Sequence, residues 1–116
     1  MIFRTAKSFY KSLERLSNTE QKQVKLTVFD LQADPARPGH QFHRLTNAAD
    51  PDFWSVRVSR DIRLIVHKKA ESLLVVYVDH HDAAYAWAER RRIEVHPRTR
   101  ALQIVELHER RETAPA

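Results

Sequence analysis

No cysteine occurs in the 116 residues, and the only glycine is Gly39. The first absence excludes disulfides, thiolate nucleophiles and cysteine-ligated zinc or iron–sulfur centres, and it agrees with a reducing compartment. The second excludes glycine-rich phosphate loops of both the dinucleotide and the Walker type. Long apolar runs are also missing. Nothing approaches the roughly 18 residues of a membrane helix, and the N-terminal MIFRTAKSFYKSL has no apolar stretch long enough for a signal peptide. A cytoplasmic protein without a membrane partner is expected, and the residues ask for no cofactor.

What is present suits one folded domain. The 42% hydrophobic content is enough for one modest core, and 30% charged residues with a mean hydropathy of -0.58 keep the surface wet. The net charge of +5 and pI of about 9.9 make nucleic acid a natural partner class. The charge is uneven. Residues 1–34 are nearly balanced, whereas Arg57, Arg60, Arg63, Lys68, Lys69 and Arg90 to Arg92 load the second half.

Ile2 to Thr5 reads as a short edge strand. From Ser8 the period lengthens: Phe9, Leu13 and Leu16 form an i, i+4, i+7 helical stripe. Ser17 and Glu20 match a capping box that starts a second helix. Val24, Val28 and Leu31 repeat the stripe, Leu26 and Phe29 are expected to widen it, and Asp34-Pro35 ends it. The two helices read as an αα-hairpin that covers a sheet. The stretch 34–52 follows as an irregular loop, docked by Phe42 and Leu45. His40 and His43 lie close together in it, but two histidines lack the third ligand that a metal site needs.

Residues 53–85, FWSVRVSRDIRLIVHKKAESLLVVYVDHHDAAY, organise the rest. Phe53 to Ser59 alternates, with Trp54, Val56 and Val58 on one face and Ser55, Arg57 and Ser59 on the other. Ser59-Arg60-Asp61 turns the chain into a second strand, RLIVHK. Ala70-Glu71-Ser72 turns it again into LLVVYV, a strand buried on both faces. Turn positions then place side chains. Arg57 falls opposite Arg63, and Arg63 falls near Val78, so that His80 and His81 emerge beside the first turn. His67 points to the far end. Asp82 is expected to cap a short helix, with Tyr85 in its first turn and Arg90 to Arg92 in its last. Ala101 to Leu107 is either a strand or a short helix, and the tail ERRETAPA is expected to fray.

VRVSRDIRLIV (56–66) and LLVVYVDHHDAAYAWAERR (73–91) resemble the basic strands, the apolar last core strand and its polar exit in the RelE/ParE toxin superfamily. The resemblance covers about residues 2–92 and leaves 93–116 as a C-terminal extension, partly disordered. It implies an α+β fold. An antiparallel sheet of about four strands would pack against an N-terminal helical hairpin, with a short C-terminal helix and a basic cleft on the sheet's other face. RelE-like members of type II toxin–antitoxin systems are endoribonucleases that cut mRNA on the ribosome without metal. ParE-like members poison DNA gyrase. Similar domains also stand ahead of UvrD-type helicases, which makes an accessory domain of a larger nucleic-acid enzyme the remaining alternative. The toxin readings imply a cognate antitoxin polypeptide as partner.

Carried over by position, the catalytic set is His81, Arg63, Arg57 and Tyr85, with Arg60, His80, Lys68 and Lys69 as further RNA contacts. Arg57 stands where some nucleases of the family carry a base. A guanidinium stays protonated and makes a poor base. Proton transfer therefore falls to His81, with His80 in reserve. Arg57 and Arg63 would hold phosphate, and Tyr85 would stack on a nucleobase or donate a proton.

Overall fold

The computed structural model describes residues 1–37 and 39–106. Strand β1 (Ile2–Thr5) leads into helices α1 (Lys7–Glu14) and α2 (Asn18–Ala33). A three-residue strand, β2 (Phe42–Arg44), precedes the three strands expected from residues 53–85: β3 (Phe53–Arg57), β4 (Ile62–Lys68) and β5 (Ser72–His80). Helix α3 (His81–Glu89) follows, and β6 (Arg91–Val95) and β7 (Leu102–Glu106) close the described chain as a two-stranded ribbon. The expected fraying of ERRETAPA concerns residues outside those described.

The main sheet has five strands in the order β1-β5-β4-β3-β2, not about four. The fifth is β2, which pairs with β3 through Phe42↔Val56 and Arg44↔Trp54 inside the stretch expected to be irregular. The sheet is not wholly antiparallel either, because β1 runs parallel to β5. Strands joined by tight turns must run antiparallel, as β3, β4 and β5 do. β1 reaches β5 only after both helices and three other strands, so no turn dictates its direction.

Strand parity decides what each face buries. Val56, Leu64, Val66, Val75 and Val78 join Phe9, Leu13, Leu16, Val24 and Leu31 of the helical segment in one cluster. Phe53, Ile65, Leu74 and Val76 face the other way and meet Ala84 and Ala88 of α3, with Ile93 and Ile104 of the ribbon packed at the margin. The sheet face expected to form an open basic cleft is thus largely covered. Phe42 and Leu45 dock their loop as expected, the first partly and the second fully buried.

The capping box at Ser17 is complete. Ser17 N–H donates to Glu20 Oε1 at 2.9 Å, and Glu20 N–H donates to Ser17 Oγ at 3.2 Å. The first of these bonds holds the Glu20 carboxyl below the usual carboxylate range. The capping contribution is therefore present above the ordinary carboxyl pKa and lost as pH falls through the lowered one. Ser17→Ala is expected to cost about 1 kcal/mol in urea unfolding at neutral pH. Leu26 and Phe29 do not widen the buried stripe. They are 67% and 68% exposed, because the narrow Val24–Val28–Leu31 line alone faces the sheet and both lie well around the helix from it.

The arginine run does not close α3. The helix stops at Glu89, Arg90 caps it, and Arg91 and Arg92 belong to β6. Arg91 is drawn out of the helix by Glu106 Oε1 across the ribbon at 2.6 Å and by the Trp87 ring, 4.8 Å from its guanidinium carbon.

Candidate functional site

Arg57 and Arg63 sit directly opposite each other at the ends of β3 and β4. Two cations so placed repel unless one turns away. Arg63 does turn: its Nη1 donates to the carbonyls of Ser59, Arg60 and Ile62 at 2.8, 3.1 and 3.1 Å, bracing the tight turn. Arg57 is exposed and has no hydrogen-bond or ion-pair partner among the described residues. It borders a cleft of about 290 Å³ that Arg37, His40 and Gln41 also line.

Continuous strand counting puts Arg63 beside Val78, but the structure pairs it with Asp79. The register shifts between Ile65 and Val66, whose partners are Tyr77 and Val75, so Val76 is the extra residue of a β-bulge. The shift reverses the parity of the last part of β5. Val78 now enters the helix-side core with Leu64, and Tyr77 and Asp79 come to the arginine face. Tyr77 donates its hydroxyl to Asp79 Oδ2 at 3.1 Å, and burial, then this bond, raises the phenol pKa. Asp79 Oδ1 accepts the His80 N–H at 2.8 Å. Both carboxylate oxygens are thus engaged without ion-pairing to either arginine.

His81 is held in three ways. Its backbone N–H donates to Asp61 O at 2.7 Å, its Nδ1 lies 2.9 Å from Asp82 Oδ1, and its ring stacks on Tyr85 with centroids 4.3 Å apart. The Tyr85 hydroxyl lies 2.9 Å from Oγ of Ser55, which is completely buried two residues before Arg57 on the same face of β3. Nε2 of His81 is left without a partner among the described residues. The helix N-cap is His80, not Asp82; Asp82 stands in the first turn, where a carboxylate suits the helix dipole.

The structure therefore brings Arg57, Arg63, His81 and Tyr85 to one end of the sheet, with Arg60 exposed in the adjoining turn, while the cleft that Arg57 borders is also lined by Thr27 and Asp30 of α2. It does not bring the other basic residues there. His80 turns toward α2, with Nε2 3.4 Å from Glu20 Oε2. Lys68 lies over the rings of Phe42 and Trp54 at 5.5 and 5.2 Å, on the helix-bearing side and at the opposite end of β4. Lys69 pairs with Asp52 at 3.1 Å. His67 is indeed at the far end, buried against Asp50 Oδ2 at 3.0 Å. Among the described residues, Asp50, Asp52 and His67 are the only three metal-capable side chains that converge, and neither His40 nor His43 is among them. His40 instead binds Asp34 O at 2.6 Å. Sequence reasoning missed Ser55 as the partner of Tyr85. The sequence carries little signal for it, because Ser55 shares its strand face with Arg57 and Ser59 and reads there as an ordinary polar position.

No protein-family model matches the chain, and no curated protein is significantly similar to it. Solved structures are similar. A chain of the RelB–RelE antitoxin–toxin complex from Methanococcus jannaschii superposes with a TM-score of 0.58 at 16% identity, over 75% of this chain and 98% of that one. A chain of the toxin–antitoxin complex RelBE2 from Mycobacterium tuberculosis gives 0.55 at 22% identity, over 69% and 90%. The YoeB/ParE toxin from Agrobacterium tumefaciens gives 0.52 at 16%, over 70% and 99%. The chain has the fold of the RelE/ParE toxin superfamily.

Proposed function

We propose that this chain is the toxin of a type II toxin–antitoxin pair and cleaves mRNA on the ribosome as a metal-independent endoribonuclease. The observation that carries the reading is that Arg57 and His81 stand at the same end of the sheet and that, among the described residues, neither the Arg57 guanidinium nor His81 Nε2 has a partner. His81 Nε2 takes the proton of the 2′-hydroxyl. The 2′-oxygen attacks phosphorus, and Arg57 clamps the dianionic phosphorane, which carries one negative charge more than the diester. Arg63 shapes the turn beside it and adds its remaining N–H groups. Cleavage leaves a 2′,3′-cyclic phosphate and a 5′-oxygen, which takes its proton from water. Among the described histidines and tyrosines at this end no second proton carrier is free, since the hydroxyl of Tyr85 is bonded to Ser55 and His80 faces Glu20. An incomplete acid–base set supports a requirement for a second component, here the ribosome that presents the substrate. Arg60, exposed in the turn, is read as a contact to the RNA backbone, whereas Lys68 and Lys69 stand at the other end of β4.

The partner reading rests on α2. Leu26 and Phe29 are exposed on its outer side next to the exposed Lys22 and Lys25, a surface for an acidic amphipathic segment such as an antitoxin. Action inside the cytoplasm follows from the substrate.

Inducing the chain in a bacterial host is expected to arrest growth and to cut mRNAs within translated frames, mapped by primer extension. Arg57→Ala is expected to restore growth while circular dichroism and melting stay as in the wild type. Double-strand DNA breaks with intact mRNA would instead indicate gyrase poisoning. Growth unaffected by the wild type would leave an accessory domain of a larger enzyme, such as a helicase.

A further inference from the structure

We infer that Ser55 is a positioning residue, acting through the Tyr85 hydroxyl to set the ring on which His81 is stacked; for catalysis the inference rests on the proposed nuclease reading. Ser55 lies on the face of the sheet that buries Phe53 and Ile65 against α3, and it is 0% exposed. A strand position of that kind is ordinarily apolar, because a buried hydroxyl without a partner is destabilising. Here the hydroxyl has one side-chain partner, Tyr85 Oη at 2.9 Å. The bond fixes the phenol at its far end, while the helix fixes it at Cα. A ring held at both ends is a rigid platform, and the imidazole of His81 lies on it at 4.3 Å and 21°.

The remaining contacts of His81 cannot do this alone. Its backbone bond to Asp61 O fixes the start of the helix and not the side-chain torsions. Asp82 is fully exposed, so its bond to Nδ1 is shared with water. The orientation of Nε2 thus depends on the Tyr85 ring, and the ring depends on Ser55. Tyr85 on this reading serves through its face, and its hydroxyl carries no proton to the substrate.

The test is a mutant cycle read both by RNA cleavage on ribosomes and by the ring-current shift of the His81 side-chain protons in the RNA-free protein. Ser55→Ala and Tyr85→Phe break the same hydrogen bond. Each is expected to lower cleavage about tenfold and to reduce the ring-current shift, and the double variant is expected to match either single one. Tyr85→Ala removes the platform and is expected to abolish the shift and lower cleavage by about 100-fold. If Tyr85→Phe is as damaging as Tyr85→Ala while Ser55→Ala is mild, the hydroxyl acts on the substrate and the inference is overturned. It is equally overturned if Ser55→Ala leaves the shift unchanged. Should the wild type cut no RNA, the nuclease reading fails by itself, and the ring-current series still decides whether Ser55 sets the Tyr85–His81 stack.

Discussion

His81→Ala is expected to lower the rate of ribosome-dependent RNA cleavage by about 10²- to 10⁴-fold, the range that a positioned general base contributes. The fold should survive, because the side chain is about half exposed and its two polar contacts are at the surface. The backbone bond to Asp61 is kept by any residue at this position. The loss therefore belongs to the imidazole and should fall on the chemical step, with RNA affinity nearly unchanged, since Arg57 and Arg60 carry the charge that binds phosphate. Two companions separate chemistry from shape. His81→Asn keeps a planar polar group that can still meet Asp82, yet it should be as slow as the alanine variant, because an amide is too weak a base to take a proton in the reaction at neutral pH. Added imidazole should partly rescue His81→Ala and do nothing for Arg57→Ala. A His81→Ala variant that cleaves at the wild-type rate would remove His81 from the mechanism.

Much of this site could be read from side-chain period. Trp54, Val56, Leu64 and Val66 against Ser55, Arg57, Arg63 and His67 is a parity pattern, and parity survives as long as the register does. Arg57 opposite Arg63 followed from one short turn and is what the structure shows. The next inference failed by one residue because Val76 is extruded into a bulge. An apolar run such as LLVVYV hides a bulge: with both faces buried, no alternation marks where the phase slips. The result matters, since it is the bulge that turns Asp79 toward the arginine face and Val78 into the core.

Three features lay beyond local pattern. β2 is three residues long and is a strand only because β3 offers it an edge. The parallel direction of β1 is set by where the helices carry the chain. The ribbon is the clearest case. Arg91 and Arg92 look like the cationic end of a helix, and only Glu94, Trp87 and Glu106, brought together in space, make them strand residues. Leu26 and Phe29 show the converse: two large apolar residues that sequence assigns to the core stay in solvent because they lie on the side of α2 away from the Val24–Val28–Leu31 line.

The ribbon's attachment leads to the largest expected effect on stability. Asp50 is 6% exposed and bonds three segments at once: Oδ1 accepts from Asp52 N–H at 2.9 Å, and Oδ2 accepts from Ile93 N–H of β6 at 2.9 Å and lies 3.0 Å from His67 Nε2 of β4. Asp50→Ala leaves a buried imidazole and two half-buried amides without their acceptor. Removing the acceptor typically costs about 1–3 kcal/mol for each of the three donors it leaves unsatisfied. For a domain of this size, whose total stability is about 5–15 kcal/mol, that is a loss of a fifth or more, and Tm should fall by at least about 10 °C. Hydrogen exchange should locate the damage, with Ile93 N–H losing protection before the amides of β4 and β5. His67→Leu in the Asp50→Ala background should recover part of the loss, because an apolar pair needs no acceptor, whereas additive single effects would mean that the two residues do not act together. A change below about 1 kcal/mol for Asp50→Ala would show that the ribbon is held by Ile93 and Ile104 packing alone. Cleavage at permissive temperature should change little, since Asp50 and His67 lie at the end of the sheet opposite Arg57. A stability loss with activity intact is the signature that separates this clasp from the site.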